Sequence, residues 1–310
     1  MRRKYAPALI CAFGLAAVLS LTGCSQIGGK DGSEGPQVVV TTNILGDVVQ
    51  QVLGDQAEVT TLMQPNADPH SFEISARQAA AMDGADLVVS NGLGLEEGLQ
   101  QHLDRAAEAG APMLVAGDVI DVVPYAAGDA EGNPDPHFWT DPATMLDFVD
   151  ALEDSAAEIE GIDTQKLTTG AEAYRAELSR LDTEMTEAFE AIPAERRALV
   201  TNHHVFGYLA DRFGFRVIGA VIPGGTTLAA PSAADLRDLS SAIEEAAVPT
   251  IFAESSQPDR LVQVLASEAD IDVDVVELFT ESLTAQDGGA PTYLAMMRAN
   301  TERIANGLSP

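Results

Sequence analysis

Apolar and polar positions along this chain follow two alternating patterns, and their order predicts the architecture. Short apolar runs typical of strands recur between longer segments with apolar residues three and four positions apart, the spacing of a helix packed on one face. Strand and helix patterns that alternate in this way are typical of βαβ units and parallel sheets. In the first half the predicted strands are 37–41, 57–63, 86–91 and 112–117, and the predicted helices are 44–53, 75–82 and 95–109.

The second half repeats this order of elements. Its predicted strands are 198–202, 216–221, 249–253 and 273–279, and its predicted helices are 205–213, 232–246, 259–268 and 292–308. The patterns predict an α/β protein with two lobes, each a mostly parallel four-stranded sheet with covering helices. Because each half has its own strands and helices, we expect two separate hydrophobic cores rather than one.

The segment between the two halves is predicted to be helical. Residues 141–159 form one predicted helix, and residues 163–191 form a longer one with a single apolar stripe. The stripe consists of Leu167, Ala171, Tyr174, Leu178, Leu181, Met185 and Ala188. A helix of about 28 residues is about 42 Å long, so we expect it to join the lobes rigidly and restrict their relative motion. The predicted lobes are therefore 37–162 and 192–310.

The N-terminus has the pattern of a signal peptide rather than of a transmembrane helix. A basic start is followed by an apolar run that ends in Leu21-Thr22-Gly23-Cys24, which resembles a bacterial lipoprotein signal. We expect residues 1–23 to be removed and Cys24 to be lipidated; a plain secretory signal is the alternative. Since Cys11 lies in the removed part, no intramolecular disulfide can form. Residues 24–36 are predicted to be a flexible tether.

The chain is strongly acidic, with 48 acidic and 17 basic residues and a net charge of −31. The segment before Cys24 contains three basic residues and no acidic one, so the mature chain is more acidic still. Such a surface argues against nucleic acid as a partner, because its phosphates require basic patches. It would raise the local cation concentration, although adaptation for solubility or to salt is the main cause that we favour.

Three of the five histidines stand at positions that predict metal binding. Asp68-Pro69-His70 recurs as Asp135-Pro136-His137, and in each copy proline holds the preceding residue extended. His203 follows the apolar run 198–202. One Asp-Pro-His sequence alone would be an ordinary turn, but two copies and a third histidine favour metal ligands, since imidazole commonly binds zinc and other transition metals.

These histidines follow predicted strands, and open parallel sheets bind ligands beyond the carboxyl ends of their strands. His70 follows the second strand of the first half, and His137 lies in the loop after its fourth strand. His203 follows the first strand of the second half, and Glu281 lies just past its last strand. We therefore expect three imidazole nitrogens and one carboxylate, two ligands from each lobe, to meet in the cleft.

Six motifs resemble those of the metal-specific cluster of ABC-transporter solute-binding proteins, the zinc and manganese receptors. They are Asp68-Pro-His-Ser-Phe-Glu73, Ala85-Asp-Leu-Val-Val-Ser-Asn-Gly92, Asp135-Pro-His-Phe-Trp139, Thr201-Asn-His-His-Val-Phe-Gly-Tyr208, Phe252-Ala-Glu254 and Thr292-Tyr-Leu-Ala-Met-Met297. The resemblance spans nearly the whole mature chain. It implies two lobes joined by a long helix, a buried metal between them, and delivery to a membrane permease powered by a cytoplasmic ATPase.

The family pattern also implies which residues bind the metal. It places the ligands on His70, His137, His203 and Glu281, the last of which is usually an aspartate in the family. His204 remains the alternative to His203 and is otherwise a residue at a helix start that faces elsewhere. Three other groups have simpler roles. His102 is predicted to be solvated, Glu254 forms a salt bridge or contacts a ligand histidine, and Asp68 and Asp135 brace their turns.

Three imidazoles and a carboxylate predict Zn²⁺, which accepts four tetrahedral ligands. Mn²⁺ is the alternative, because it prefers more oxygen donors and a bidentate Glu281 would raise the coordination number. Manganese receptors of the family often have a carboxylate where His203 stands. Against zinc, the loop 118–135 lacks the histidine run that many zinc receptors carry.

Two other classes of function are alternatives for this chain. A zinc-dependent hydrolase would need an open coordination position, which Glu281 closes, and the chain contains no His-Glu-x-x-His, Gly-x-Ser-x-Gly or phosphate loop. A surface adhesin is a further alternative that no feature of the sequence tests. We expect a monomeric, lipid-anchored, extracytoplasmic receptor that is not an enzyme and whose partners are a permease and its ATPase.

Overall fold

The computed structural model of the chain describes residues 35–126, 128–222, 224–256, 260–268 and 273–310. The predicted signal segment 1–23 and the lipidation site Cys24 lie outside these residues, as does the predicted tether up to residue 34. Among the residues that the structure describes, no helix has both the length and the apolar character required to cross a bilayer.

The first lobe is a parallel four-stranded sheet with covering helices, as predicted. Its strands are β1 (Gln37–Val40), β2 (Glu58–Thr61), β3 (Leu87–Ser90) and β4 (Met113–Val115), and its helices are α1 (Asn43–Leu53), α2 (Ala76–Asp83) and α3 (Gln100–Glu108). The strand order is β2-β1-β3-β4. β3 is buried along its whole length, which explains why its apolar residues follow one another without the alternation of a half-exposed strand.

The second lobe has the same architecture. Its strands are β5 (Ala198–Thr201), β6 (Arg216–Ala220), β7 (Thr250–Glu254) and β8 (Asp274–Leu278), and its helices are α6 (Gly207–Phe213), α7 (Ala233–Ala246), α8 (Arg260–Glu268) and α9 (Tyr293–Leu308). The strand order β6-β5-β7-β8 repeats that of the first sheet, and all pairs are parallel. Ser232 and Asp235 form a capping box that begins α7, as helix-start signals of this type predict.

Two helices connect the lobes, α4 (Pro142–Ala157) and α5 (Thr164–Glu190). The Asp163 side chain begins α5 by accepting the backbone N–H groups of Gln165 and Lys166. With 27 residues, the helix is about 40 Å long. Its buried stripe agrees with the prediction except at the end, where Phe189 is buried and Ala188 is only half-buried.

The expectation of two separate cores is wrong. The largest cluster of buried apolar residues contains Val38 of the first sheet, Leu199 of the second sheet and Leu178 of α5. Smaller clusters, which include Val88 in one lobe and Val200 in the other, cover the remaining sheet faces. The difference arises because α5 packs against α1 and α4 of the first half and against α6 and α9 of the second. A core that continues from one lobe into the other resists their separation.

Candidate metal centre

Four side chains, two from each lobe, converge on one point. The Nε2 atoms of His70, His137 and His203 lie 2.9, 3.3 and 3.2 Å from Glu281 Oε1. His137 Nε2 also lies 3.4 Å from the Nε2 atoms of both other histidines. All four residues are buried, with at most 2% of their surface exposed. The structure thus brings together the four residues that the sequence singled out.

Loops at the carboxyl ends of the strands position these residues, as predicted from the general behaviour of parallel sheets. His70 lies in the loop that follows β2, and His203 lies two residues beyond β5. Glu281 lies three residues beyond β8, and His137 stands before the short 3-10 turn Phe138–Thr140 that leads into α4. Both sheets therefore contribute to one cluster from their carboxyl edges.

The spacing of the four ligand atoms fits one small cation. An ion bound tetrahedrally at about 2.0–2.1 Å separates its ligand atoms by about 3.3 Å. The separations given above range from 2.9 to 3.4 Å, and all four atoms lie within 4.8 Å of one another. Three imidazole nitrogens and one carboxylate oxygen are also donors that zinc commonly binds.

Carboxylates hold two of the three imidazoles from the side opposite the cluster. Asp135 Oδ1 lies 2.7 Å from His137 Nδ1, and Glu254 Oε1 lies 2.6 Å from His203 Nδ1. Each of these oxygens also accepts the backbone N–H of the same histidine, at 2.9 and 3.0 Å. Because an ionised carboxylate only accepts, Nδ1 carries the proton and Nε2 of the neutral ring keeps its lone pair for a metal. Of the two alternatives for Glu254, the structure supports contact with a histidine of the cluster, His203.

His70 is held differently from the other two histidines. Asp68 Oδ1 accepts its backbone N–H at 2.9 Å, so Asp68 braces the turn as predicted. His70 Nδ1 is buried and has no hydrogen-bond partner among the described residues. Glu281 Oε2 is likewise buried without a partner in the described part of the chain. The second carboxylate oxygen is therefore available to a cation.

The electrostatics of the cluster favour a positive charge at its centre. Burial lowers the pKa of His137, but Asp135 and the hydrogen bond to Glu281 outweigh burial, so that this pKa is raised. The pKa of His203 is raised well above its usual range, because Glu254 and Glu281 overcome the effect of burial. Burial raises the pKa of Glu281, yet the histidines reverse this and hold it well below its usual range. Protons and metal cations therefore compete for the same place.

The remaining candidate histidines lie outside the cluster. His204 is buried beside His203, and its ring centroid lies 6.4 Å from that of Tyr125. Burial and the neighbouring His203 lower the pKa of His204, which favours its neutral form. His102 lies in α3 and is half-buried rather than fully solvated. The structure therefore supports His203, and not His204, as the member of the adjacent pair that joins the cluster.

The loop that carries Glu281 is fastened to the first lobe by Asn43 and Trp139, neither of which the sequence predicted to have this role. Asn43 in α1 accepts the backbone N–H of Leu283 at 2.9 Å. Trp139 Nε1 donates to the backbone carbonyl of Thr280 at 2.8 Å. Trp139 belongs to the motif Asp135-Pro-His-Phe-Trp139, so its position was a signal for this role, whereas Asn43 carried no such signal.

Two further hydrogen bonds join the lobes beside the cluster. Thr227 Oγ1 donates to Asp68 Oδ2 at 2.6 Å, and the Tyr125 hydroxyl donates to the backbone carbonyl of Gly225 at 2.9 Å. The same tyrosine oxygen lies 3.4 Å from His137 Nδ1. No local pattern marks these residues, because each contact depends on two loops that are distant in sequence.

Comparison with known proteins identifies a family for this arrangement. The family model described as ZnuA, zinc-uptake complex component A periplasmic, matches residues 38–307. The zinc-binding protein TroA of Treponema pallidum is 31% identical over 307 residues, which cover 97% of this chain and 98% of that protein. A solved structure of TroA has a TM-score of 0.81 at 29% identity, and the match covers 89% of this chain and 100% of that one.

Relatives named for other metals match over similar lengths. The iron-binding protein YfeA of Yersinia pestis is 26% identical over 302 residues, which cover 97% of this chain and 96% of that protein. The manganese ABC transporter substrate-binding lipoprotein PsaA of Streptococcus pneumoniae is 26% identical over 308 residues, which cover 97% and 98%. The names differ in the metal and agree on metal binding. The chain belongs to the ZnuA family and is a metal-binding solute-binding protein of an ABC transporter.

Proposed function

We propose that this chain is an extracytoplasmic receptor that captures Zn²⁺ between its lobes and delivers it to an ABC permease for import. His70, His137, His203 and Glu281 are the proposed ligands. The observation that carries this proposal is the convergence of three Nε2 atoms and one carboxylate oxygen, all buried and drawn from both lobes. Because each lobe contributes two ligands, a bound ion would hold the lobes together until the permease receives it.

The chemistry of the donors supports zinc. Zinc binds imidazole and carboxylate readily and accepts a tetrahedral set of four ligands. The carboxylates of Asp135 and Glu254 orient two of the imidazoles and increase their basicity, which strengthens metal binding. Glu281 supplies the fourth protein ligand, whereas a hydrolytic zinc site leaves that position to water. We therefore infer transport rather than catalysis.

One observation supports manganese as a second candidate. Glu281 Oε2 is buried and lacks a hydrogen-bond partner among the described residues, so a bidentate Glu281 would add a fifth ligand atom. Manganese prefers oxygen donors and higher coordination numbers than zinc. Iron appears in the name of one relative as well. Since the Irving–Williams order makes zinc bind more tightly than manganese at almost any such site, affinity alone does not decide which metal the cell imports.

We further propose that Cys24 carries the lipid that anchors the receptor, as a monomer, outside the cell membrane. The relative from Streptococcus pneumoniae is named a lipoprotein. Because a single acyl chain binds membranes only marginally, stable anchoring needs the several chains of a lipoprotein. Mass spectrometry of the N-terminal peptide from the membrane fraction tests this, and we expect an acylated Cys24. An unmodified mature N-terminus in the culture medium would contradict it.

The deciding experiment combines metal content with transport. Protein isolated from its own cell envelope is analysed for bound zinc, manganese and iron. Uptake of each metal is then measured after deletion of the gene and after complementation with the wild type or with His137→Ala. We expect bound zinc, and a loss of zinc uptake that only the wild type restores. If deletion abolished manganese uptake and left zinc uptake intact, the proposed ligands could stand but the proposed metal would be wrong.

A further inference from the structure

The three proposed histidine ligands depend on different supports. Carboxylates hold the rings of His137 and His203 at their Nδ1 atoms. His70 Nδ1 has no partner among the described residues, so no hydrogen bond to this nitrogen orients the ring. The position of His70 depends instead on its backbone turn, whose N–H is accepted by Asp68 Oδ1 at 2.9 Å.

The turn that carries His70 is fastened from the opposite lobe. Thr227, in the segment 224–231 between β6 and α7, donates from Oγ1 to Asp68 Oδ2 at 2.6 Å. Ser71 donates to the same oxygen at 3.1 Å from within the turn. A short hydrogen bond from a hydroxyl to an ionised carboxylate is stronger than one between neutral groups. Thr227 is therefore well placed to limit movement of the His70 turn.

This contact lies between the cluster and the solvent. His70 is 2% exposed, Asp68 and Thr227 are half-buried, and the next residue, Leu228, is 57% exposed. The loop of Glu281, by contrast, is fastened by the buried side chain of Asn43 and by Trp139. Local opening costs least where few groups are buried, so the contact between Thr227 and Asp68 opens more readily than the fastening of the Glu281 loop.

We propose that Thr227 is a positioning residue for His70, and that its hydrogen bond to Asp68 sets the rate at which the metal enters and leaves. Breaking this bond releases the His70 turn first, while His137, His203 and Glu281 stay in place. This inference rests on the proposed function, in which the cluster binds a metal ion. As long as the closed form remains the main one, opening more often raises both rates and leaves Kd nearly unchanged. Loss of a ligand, by contrast, weakens metal binding and raises Kd.

Thr227→Val tests this inference, because valine has nearly the same shape and lacks the hydroxyl. The mature chain is loaded with Zn²⁺, and dissociation is followed by stopped-flow absorbance with excess chelator and a zinc indicator; association is followed by mixing metal-free protein with Zn²⁺. We expect both rates to rise about tenfold, the factor for a hydrogen bond to a charged group. Thr227→Ser keeps the hydroxyl and should therefore retain wild-type rates. Thr226→Val is the matched control in the same segment. Wild-type rates in Thr227→Val would overturn the inference.

A second experiment tests whether Thr227 affects zinc dissociation through His70 or through closure of the lobes in general. In a His70→Ala background, Thr227→Val should have no additional effect on zinc dissociation, because the residue it positions is absent. A further acceleration in that background would overturn the role assigned to His70. Thr227→Ala provides a second variant should valine disturb folding. A wild-type chain that binds no Zn²⁺ would contradict the proposed function itself, so the two failures are distinguishable.

Discussion

The two Asp-Pro-His turns share a backbone arrangement, but they hold their histidine rings differently. In both turns the aspartate Oδ1 accepts the backbone N–H of the histidine at 2.9 Å. In the second turn that oxygen also lies 2.7 Å from His137 Nδ1, whereas His70 Nδ1 has no partner among the described residues. The residue after each histidine also differs: the Ser71 hydroxyl donates to Asp68, while Phe138 has no polar side-chain group.

This difference shows that a repeated motif can determine the backbone of a site without determining its surroundings. Asp135 is 1% exposed and lies against Gly207, where a side chain would collide with its Oδ2 atom. Asp68 is half-buried and accepts a hydrogen bond from Thr227 of the other lobe. We infer that the second turn presents a fixed ligand, while the first presents a ligand whose position depends on contact between the lobes.

Loss of the imidazole ring of His70 or of His137 should have the largest effect on metal binding. His70→Ala and His137→Ala each remove one of the four proposed ligands, so we expect Zn²⁺ affinity to fall more than about 100-fold, beyond the range for residues outside the ligand set. Equilibrium competition with a chelator of known affinity measures this fall. His204→Ala is the control, because His204 is buried beside the cluster without joining it. If His204→Ala reduced affinity more than His203→Ala, the assignment within that pair would be wrong.

Matched substitutions of Asp68 and Asp135 should reduce Zn²⁺ affinity to different degrees. Asp135→Asn removes the charge that supports the His137 ring, so we expect Zn²⁺ affinity to fall about 10- to 100-fold. Asp68→Asn alters a carboxylate that accepts the backbone N–H of His70 and the hydroxyls of Ser71 and Thr227. Because His70 Nδ1 has no partner among the described residues, the effect on equilibrium affinity should be much smaller. The same chelator competition measures both variants. Equal losses of affinity would contradict the distinction between a fixed and an adjustable ligand.

The regular parts of the fold could be predicted because their signals are local. Apolar spacing predicted the eight strands of the described residues and the long helix α5. The four residues of the cluster followed from their places after strands, and the family resemblance favoured His203 over His204. The shared core was not predicted, because the helix faces that meet across the lobes depend on how the lobes pack.

The surroundings of each ligand could not be predicted in the same way. Thr227 lies 159 residues from Asp68 in the sequence, and 51 residues separate Glu254 from His203. Neither separation leaves a periodic signal, so for Glu254 the sequence left two alternatives open, a salt bridge or contact with a ligand histidine. Which nitrogen of a histidine meets a carboxylate also depends on the rotamer of the ring, and this is decided by packing around it. Sequence motifs therefore singled out the four proposed ligands, while the hydrogen bonds that support each of them are evident only in the structure.

The pH dependence of metal binding should reveal the carboxylate that supports the His137 ring. In the absence of metal, Asp135 helps to raise the pKa of His137, and Glu254 and Glu281 raise that of His203. Since a protonated imidazole cannot bind a metal, affinity should rise with pH through and above about 6.5, by up to about tenfold per pH unit for each displaced proton. Competition assays from pH 5.5 to 9 measure this. Asp135→Asn should shift the rise to lower pH, and a wild-type affinity independent of pH would contradict the expectation.

The smallest effect is expected from Gly207→Ala, which acts on the second turn without changing any polar group. The new methyl group would collide with Asp135 Oδ2, so Asp135 must shift relative to His137 Nδ1. We expect Zn²⁺ affinity to fall about threefold, and the free energy of unfolding to fall by about 1–3 kcal/mol, the usual cost of overpacking. Titration and denaturant unfolding measure the two quantities.

Gly219→Ala is the matched control for this change. Gly219 lies in β6 of the second lobe, and a methyl group there would approach Leu239 Cδ1 to 2.8 Å. It should reduce the free energy of unfolding by a similar amount and leave metal affinity unchanged, because Leu239 belongs to an apolar cluster of the second lobe that includes none of the proposed ligands. If both alanine variants lowered affinity equally, the loss would reflect general destabilisation. An effect confined to Gly207→Ala would show that the position of Asp135 determines how well His137 binds the metal.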